Sequence, residues 1–448
     1  MKSLWKKIHV LLFGSTRKGF LWSIFSLSLL IRVSLVFFYG NPDHPQLYEH
    51  GEIAHNLYTG HGFSMHWPYE PFDSARKILL TQPPQHEGAF LPPLNPYIIY
   101  GSYLVFGENR TAYIAVMLLY AILSAGITIM VYKTALMIGN EQRSRIAAII
   151  CTLFLPSAYA AITFSGSVLY QLLGVVIFYF AFKLIHTYSI KNAILYGFLC
   201  GVMTMLRSEF FFLGFLLIIA ATLVPLPHTE VRKRVVLCCS SLLVFVAVIS
   251  PWTIRNYGLF GQFVPVLSHP WYEMWRGNNP QATGTTHYDD GRTVWVTPQA
   301  FPKLIRQMDS LPYDTHFELA TDQILKREVL SFVFHEPFQF LRLGIKKIAY
   351  FLTVDFSDRN TRNPIYMVLM IGVILSIGRG YIRLLKSPLT TEKVIITLFI
   401  LSYVFLTIMT VMLSRYQIYF YQVLLPIMAT SGVAKMGKPR IRNLGTAE

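Results

Sequence analysis

Repeated apolar runs restrict what this sequence can fold into more than any other feature. A run of about 20 apolar residues can cross a hydrocarbon core about 30 Å thick as a helix, which satisfies its own backbone hydrogen bonds there. The runs that we assign as spans are residues 20–39, 111–138, 146–164, 168–186, 193–207, 210–226, 235–252, 365–379, 393–413 and 416–434. We therefore expect an all-α integral membrane protein, a polytopic helical bundle of about ten transmembrane helices.

Composition supports this class. Hydrophobic residues make up 53% of the 448 residues, charged residues only 14%, and the mean hydropathy is +0.44. The formal net charge of +16 would suit a nucleic-acid partner. Basic residues in a multi-pass protein more often mark cytoplasmic loops, so we expect no nucleic acid. The four cysteines lie inside apolar runs, without the spacing of a disulfide framework or a metal site, which indicates packing residues.

The positions of the basic residues set the orientation, because cytoplasmic loops are enriched in Lys and Arg. With a cytoplasmic N-terminus and an uncleaved first span, every basic connection falls inside: NEQRSR, HTYSIKN, HTEVRKR, GRGYIRLLKS and the tail KMGKPRIRN. We expect an N-terminal transmembrane catalytic module (1–252) with a first external loop (40–110). A large external loop (253–364) and C-terminal transmembrane helices with a basic cytoplasmic tail (365–448) follow.

Both external loops carry signals of helices that lie at the membrane surface. PPLNPYIIYGSYLVFG, residues 92–107, is short for a crossing and rich in proline and glycine, so we predict an interfacial helix. In the second loop, Thr315 and Glu318 form a capping box for a helix that runs to about residue 334. The proline of PFQFLRLGIKKIAYFL suits the first turn of the next helix, whose two lysines beside an apolar face predict a headgroup-level position.

The first external loop begins with an unusually polar helix signal, LYEHGEIAHNLYTGHGFS at residues 47–64. Residues three or four apart share a helix face, so Glu49 and Glu52 lie on one side, and Gly60 ends the helix. Asp43 adds a third carboxylate just upstream. At the outer membrane surface these carboxylates would meet a polar group of an amphiphilic substrate.

This loop resembles the first external loop of GT-C glycosyltransferases of the dolichyl-phosphate-mannose protein mannosyltransferase type, relatives of the bacterial lipid A aminoarabinose transferases. The similar pieces are an acidic residue, IAxNL, GxGFS and PPLNPYIIYGSYLVFG. They are followed in the same order by GFLCGVMTMLRSEFFFLGFLLIIA, SPWTIRNYGLFGQFVPVLSHPWYEMWRGNNPQATG and SRYQIYFYQVLLPIMA. The order of the pieces, which extend over nearly the whole chain, carries the resemblance more than any single motif does.

The resemblance implies transfer of a monosaccharide from a polyprenyl-phosphate carrier to a protein, lipid or glycan acceptor on the extracytoplasmic face, with inversion. A carboxylate would take the proton of the acceptor hydroxyl, and guanidinium groups would stabilise the leaving phosphate. Family members commonly have an aspartate eight residues before the alanine of IAxNL, where this chain has Gln46. We therefore rank Glu49 first as general base, Asp43 second and Glu52 third. A second departure is Ser167, where relatives often carry an acid in the next external turn.

Each carboxylate also has an ordinary structural interpretation. Glu49 and Asp43 would then be solvated loop residues, and Glu52 would lie on the polar face of its helix. Eight further residues are candidates for substrate binding: Arg207, Glu209, Arg255, Arg276, Asn278, Asn279, Arg415 and Tyr416.

The substrate-binding candidates have alternatives too. Arg207 and Glu209 interrupt an apolar region, so they either line the pocket of the lipid phosphate or form a structural pair. Arg415 and Arg255 either bind the carrier phosphate or extend to lipid headgroups. The two tryptophans of WYEMWRGNNPQATG suit a membrane belt, although aromatic rings beside amides also suit a sugar.

The remaining predictions concern metals, rival functions and location. The histidines of the first loop, His44, His50, His55, His61, His66 and His86, match no standard metal-binding pair on a helical turn. We assign no metal ligands and no cofactor, and a divalent-cation requirement stays open.

A transporter or flippase of lipid-linked sugars is the rival function, although the acids lie in an outer loop and no repeat is visible. Gln46 leaves open a catalytically silent relative, and we expect a bacterial inner membrane location.

Overall fold

The computed structural model describes residues 16–66, 86–224, 230–285, 301–358 and 360–430, which we call the described residues. The predicted basic tail and residues 67–85 of the first external loop lie outside them. The α-helices are α1 Arg17–Phe38, α2 Tyr48–Tyr58, α3 Leu94–Phe106, α4 Arg110–Ile138, α5 Glu141–Leu153, α6 Leu155–Ala158, α7 Ser167–Thr187, α8 Ile190–Thr204, α9 Phe210–Leu223, α10 Val231–Phe260, α11 Pro270–Gly277, α12 Pro302–Asp309, α13 Phe317–His335, α14 Pro337–Leu352, α15 Pro364–Leu385, α16 Thr391–Met409 and α17 Ser414–Leu424. Short 3-10 helices are Tyr159–Ile162, Asn360–Arg362 and Leu425–Ala429.

Six of these helices are long and apolar enough to cross a membrane: α1, α4, α7, α10, α15 and α16. A seventh crossing results if α5 and α6 with its 3-10 turn form one span that bends by 60°. Two more apolar helices, α8 and α9, are shorter. The all-helical class is confirmed for the described residues, and the long apolar helices suit an integral membrane protein; the count of ten spans stays a prediction.

The predicted span 146–164 is broken at Pro156, and a buried arginine fills the break. Proline has no N–H, so the carbonyl of Thr152, four residues earlier, receives no helical hydrogen bond from it. Arg32 of α1 donates to the carbonyls of Thr152 at 3.3 Å and Cys151 at 3.4 Å, and to the Ser124 hydroxyl at 2.8 Å. A cation at the end of α5 is favourable because the carbonyl end of a helix is electronegative. Arg32 is fully buried and caps the end of α5.

The last predicted span begins as α17 and ends as a 3-10 helix. An α-helix rises about 1.5 Å and a 3-10 helix about 2 Å per residue, so the segment reaches roughly 26 Å. Its two glutamines are fully buried and donate hydrogen bonds within the protein. Gln417 donates to the carbonyls of Phe351 at 2.8 Å and Thr353 at 2.5 Å, and Gln422 donates to the Cys151 sulfur at 2.9 Å. The segment therefore lies inside the bundle.

The two ends of the bundle carry different contacts. At one end, Arg17 at the start of α1 contacts Glu141 at the start of α5, at 3.1 Å. At the other end, the two long loops meet, where Arg255 contacts Glu87 at 2.6 Å. Both predicted external loops therefore lie at the same end of the bundle. This agrees with an even number of crossings between the two loops, because an even number returns the chain to the same side.

Within the predicted interfacial segment 92–107, Leu94–Phe106 form the helix α3. Its Asn95 is buried and donates to the Phe164 carbonyl at 2.7 Å, while the Tyr120 hydroxyl donates to Asn95 at 2.5 Å. Other residues of α3, such as Leu104 and Val105, are 62% and 71% exposed. One face of α3 therefore packs on the bundle, and its depth in the membrane stays a prediction.

The predicted capping box of the second loop is wrong, although the helix exists. α13 begins at Phe317 with His316 at the N-cap position and no side-chain cap. The Glu318 carboxylate instead accepts hydrogen bonds from the Ala89 N–H at 3.0 Å and from the Ser268 hydroxyl. A tertiary contact between the two loops replaces the local one.

The headgroup-level position of α14 stays a prediction, but one of its two lysines is enclosed by the protein. Pro337 opens the helix as predicted, and Phe338 is 86% exposed. Lys347 is fully buried, however, and its ammonium donates to the Asn278 side-chain oxygen and the Thr410 carbonyl, both at 3.0 Å. The lysine joins the end of α11 to the end of α16.

Candidate functional site

Glu49 lies in the first turn of α2, directly after Tyr48, whose backbone is left-handed with φ of 53°. A bulky residue stays in that strained region only when its surroundings hold it there. The Glu49 carboxylate is exposed and makes no hydrogen bond or ion pair with any described residue. Its charge acts on the hydroxyl groups of Tyr48 and of Tyr272 in α11. Among the described residues, Glu49 is therefore a carboxylate without a partner.

The other two predicted carboxylates are engaged. Asp43 contacts Arg110 at 3.3 Å, and both side chains are mostly exposed. Glu52 accepts hydrogen bonds from the His66 N–H and from its ring Nδ1, both at 2.6 Å. Glu52 therefore holds His66 of the first loop against α2.

Two arginines lie at the ring of Tyr416, at the start of α17, and a third lies within electrostatic range of it. The guanidinium carbon of Arg207, in the turn between α8 and α9, lies 4.5 Å from the centre of the Tyr416 ring, and that of Arg415 lies 5.6 Å from it. Tyr416 also acts electrostatically on Arg276 of α11. We call His50, Arg207, Arg276, Arg415 and Tyr416 the Tyr416 cluster.

The arginines of the Tyr416 cluster differ in their partners. Arg207 contacts Glu209 at 2.8 Å, and Arg276 contacts Glu273 at 3.1 Å. The half-buried side chain of Arg415 makes no hydrogen bond or ion pair with any described residue. An unpaired charge in a partly buried place is costly unless a ligand compensates for it. The cluster therefore presents one free positive charge.

His50 adds an unsatisfied polar atom to the same place. Its ring Nδ1 is buried and has no hydrogen-bond partner among the described residues. Burial, and then the nearby charges of Arg415 and Arg207, lower the pKa of His50 to about 3. The imidazole is therefore neutral at physiological pH and can donate or accept one hydrogen bond.

Aromatic hydroxyl groups complete the surroundings of the Tyr416 cluster. The Tyr419 hydroxyl is hydrogen-bonded to Ser167, and Ser167 to Ser165 at 2.5 Å. Tyr419 acts electrostatically on Tyr48, Arg207 and Arg415. Ser167, the position at which relatives often carry an acid, therefore lies beside the Tyr416 cluster. In this chain it offers a hydroxyl group instead of a carboxylate.

Four predicted binding residues lie outside the Tyr416 cluster, and one of them, Glu209, pairs with Arg207 of the cluster. Arg255 donates to the Gly88 carbonyl at 2.6 Å and to the Asn256 side-chain oxygen at 3.1 Å, and it pairs with Glu87 of the first loop. Asn278 is buried, and its amide donates to the Met409 carbonyl at 2.7 Å. Asn279 is also buried and donates to the carbonyl of Trp275 at 2.8 Å. The two amides hold the end of α11 in place.

Sequence reasoning missed several residues beside the cluster. His50 was considered only as a metal ligand, whereas Tyr48, Tyr272, Glu273 and Tyr419 were not considered. The sequence gives one signal of these residues: in SRYQIYFY, several tyrosines follow Arg415 closely. Among the described residues, no three His, Cys, Asp or Glu side chains form a group that could hold a metal ion.

The chain is similar to known proteins in part of its sequence and in its fold. Residues 91–254 match the family model of the dolichyl-phosphate-mannose-protein mannosyltransferases. The family resemblance seen in the sequence, to GT-C glycosyltransferases of this type, is confirmed for these residues. No curated protein matches the chain.

Two solved structures of the Archaeoglobus fulgidus oligosaccharyltransferase are similar to the chain at 12% identity. The first is tethered with an acceptor peptide containing the NVT sequon and gives a TM-score of 0.53, covering 92% of this chain and 49% of that one. The second, a complex with Zn and sulfate, gives 0.51 and covers 91% and 48%. The chain spans about half the length of that enzyme, and the likeness shows a shared fold.

Proposed function

We propose that the chain is a glycosyltransferase that moves a monosaccharide from a polyprenyl-phosphate donor to an acceptor on the extracytoplasmic face. The observation that carries the proposal is the convergence of Arg207, Arg276 and Arg415 at one end of the bundle, where only Arg415 lacks an acidic partner among the described residues. Guanidinium groups match phosphate geometry and remain charged. The family resemblance supports the same donor class.

The reaction that fits this geometry is an inverting displacement. The acceptor oxygen attacks the anomeric carbon, and the bond from that carbon to the phosphate oxygen breaks. The bonding electrons leave with the lipid phosphate, whose second negative charge is stabilised by the Tyr416 cluster. The unpaired carboxylate of Glu49 takes the acceptor proton as general base.

The lipid carrier also fits the location of the cluster. The polyprenyl tail remains in the bilayer while its phosphate reaches the membrane surface, so the phosphate site belongs at the end of the bundle. The basic connections predict that the opposite end is cytoplasmic, and we propose a bacterial inner membrane. The acceptor peptide in the similar archaeal structure supports a protein acceptor, although lipid and glycan acceptors remain candidates.

The test uses the purified protein in nanodiscs with synthetic polyprenyl-phosphate sugars, measuring release of the free lipid phosphate. Removal of a general base typically lowers the rate by 10²–10⁴-fold, so we expect Glu49→Gln to lose at least about a hundredfold. Glu108→Gln, a carboxylate of the same loop that pairs with His55 at 2.7 Å, is the matched control. Turnover with EDTA present tests the divalent-cation requirement.

Three outcomes would contradict parts of the proposal. Turnover that survives in both Glu49→Gln and Asp43→Asn removes the base assignment. Donor movement across the bilayer without sugar release identifies a flippase instead. Tight donor binding without either activity identifies a catalytically silent relative, as the Gln46 position allows.

A further inference from the structure

A second group of arginines lies at the end of the bundle opposite the Tyr416 cluster. Arg143, in the first turn of α5, donates to the Thr430 carbonyl at 2.7 Å, and Arg383, in the last turn of α15, donates to the same oxygen at 3.0 Å. Arg143 and Arg379 are the charges that act on Arg383. We call Arg143, Arg379 and Arg383 the inner arginine group.

This arrangement leaves three like charges together without an acid. A single neutral carbonyl accepts from two guanidinium groups, and no described carboxylate forms an ion pair with any of the three arginines. Neighbouring arginines at this end behave differently, because Arg17 and Arg145 both contact Glu141, at 3.1 and 2.9 Å. Two unit charges about 5 Å apart repel by roughly 1 kcal/mol in water and by more where the dielectric constant is lower. An anion would remove this cost.

The backbone around the group is built for a close approach. A Cβ atom on Gly139 would collide with the Ala429 carbonyl, and one on Gly380 would collide with the Ile427 carbonyl. Glycines at these positions let the 3-10 helix Leu425–Ala429 pass between α4 and α15. The carbonyl that both arginines share is therefore placed by the fold rather than by a mobile loop.

The outer surface of α15 shows what kind of anion reaches this group. Val368, Ile371 and Leu375 are 70%, 49% and 60% exposed, and Ile382 is 53% exposed. With Arg379 they recur three or four residues apart, so they lie on one face of the helix. An apolar stripe in a candidate membrane span faces lipid chains, and this one ends in arginines. The positive charge of the inner arginine group and the exposed apolar face of α15 together match an amphiphile with an anionic head group.

We propose that the inner arginine group binds the phosphate of an anionic phospholipid, whose acyl chains lie along the exposed face of α15. Basic pockets between transmembrane helices on the cytoplasmic side recognise such headgroups. The site belongs to the leaflet opposite the Tyr416 cluster, so it is separate from donor binding and does not depend on the proposed glycosyl transfer. Arg143 and Arg383 bind the phosphate from the bundle side, and exposed Arg379 binds it from the lipid side.

The experiment measures lipid retention by native mass spectrometry after purification into nanodiscs that contain phosphatidylglycerol and phosphatidylcholine. We expect phosphatidylglycerol to be enriched on the unchanged protein and the enrichment to fall about tenfold in Arg143→Gln/Arg383→Gln. The double variant Arg232→Gln/Lys233→Gln at the start of α10 is the matched control, because it removes two positive charges at the same end without touching the group. Its enrichment should equal that of the unchanged protein.

Two further arms make the result decisive. Arg379→Gln changes an exposed side chain without a described partner, so it folds normally and should lower enrichment about threefold. Millimolar inorganic phosphate should not displace the lipid, because the acyl chains contribute to binding. Equal retention in the unchanged protein and in Arg143→Gln/Arg383→Gln overturns the site, and so does full displacement by phosphate. Glycosyl transfer is measured separately and can fail without affecting this outcome.

Discussion

Replacement of Arg415 by glutamine tests the phosphate site most directly, because the arginine is unpaired. Its side chain makes no hydrogen bond or ion pair with a described residue, so truncation leaves no buried partner without a bond. The charge of Arg207 opposes that of Arg415, whereas Tyr416, Tyr419 and Glu273 favour it, so the substitution removes repulsion and attraction together. We expect the melting temperature of Arg415→Gln to change little.

The loss should fall on the ligand instead. A hydrogen bond to a charged group contributes about 1.5–3 kcal/mol, and each 1.4 kcal/mol is a tenfold change in affinity. We expect Arg415→Gln to weaken binding of polyprenyl phosphate roughly ten- to hundredfold. Arg110→Gln, which removes an exposed arginine paired with Asp43, should bind normally and is the matched control.

The assay is isothermal titration of short-chain polyprenyl phosphate into the purified protein, with melting temperatures measured on the same samples. An affinity of Arg415→Gln within twofold of the unchanged protein would refute the phosphate site. A large fall in melting temperature would refute the idea that Arg415 lacks structural partners. Weaker binding with unchanged stability is the combination that the geometry requires.

Three further predictions follow from buried groups. Lys347→Met leaves several buried acceptors without a donor, at about 1–3 kcal/mol each, so its melting temperature should fall strongly while that of Lys346→Met changes little. Burial raises the pKa of Asp322 to about 7. The native state therefore holds an extra proton between about pH 4 and 7, and its stability falls as pH rises through that window. Asp322→Asn should reduce the loss of melting temperature between pH 5 and 8. Arg207→Gln should lower stability by leaving Glu209 unpaired, and adding Glu209→Gln should restore the melting temperature but not donor affinity.

Local patterns predicted the helices well. The helix around Glu49 runs from Tyr48 to Tyr58, and Gly60 follows its end as expected, with φ of 86°. The helix of the second loop also forms, but its capping box does not, because Glu318 is used by Ala89 of the other loop. The periodicity of apolar residues predicts which residues share a helix face. It does not predict which distant residue will form a hydrogen bond with a given side chain.

The candidate site was predicted only in part. Arg207, Arg276 and Arg415 were each singled out for a charge in an apolar or aromatic setting, yet nothing in the sequence shows that they meet around one tyrosine. The role of Lys347 was missed, because two adjacent lysines on an apolar helix look alike until the fold buries one of them. Tertiary packing decides which charged residues are paired, and pairing decides which remain for a ligand.

The central position of the final helical segment affects how the protein is made. Leu425 and Ala429, like Gln417 and Gln422, are completely enclosed by segments that precede them in the chain. During synthesis those earlier segments enter the bilayer while the space between them is still unfilled. Arg415 reaches its place only when this segment inserts, so the proposed phosphate site is completed late in synthesis.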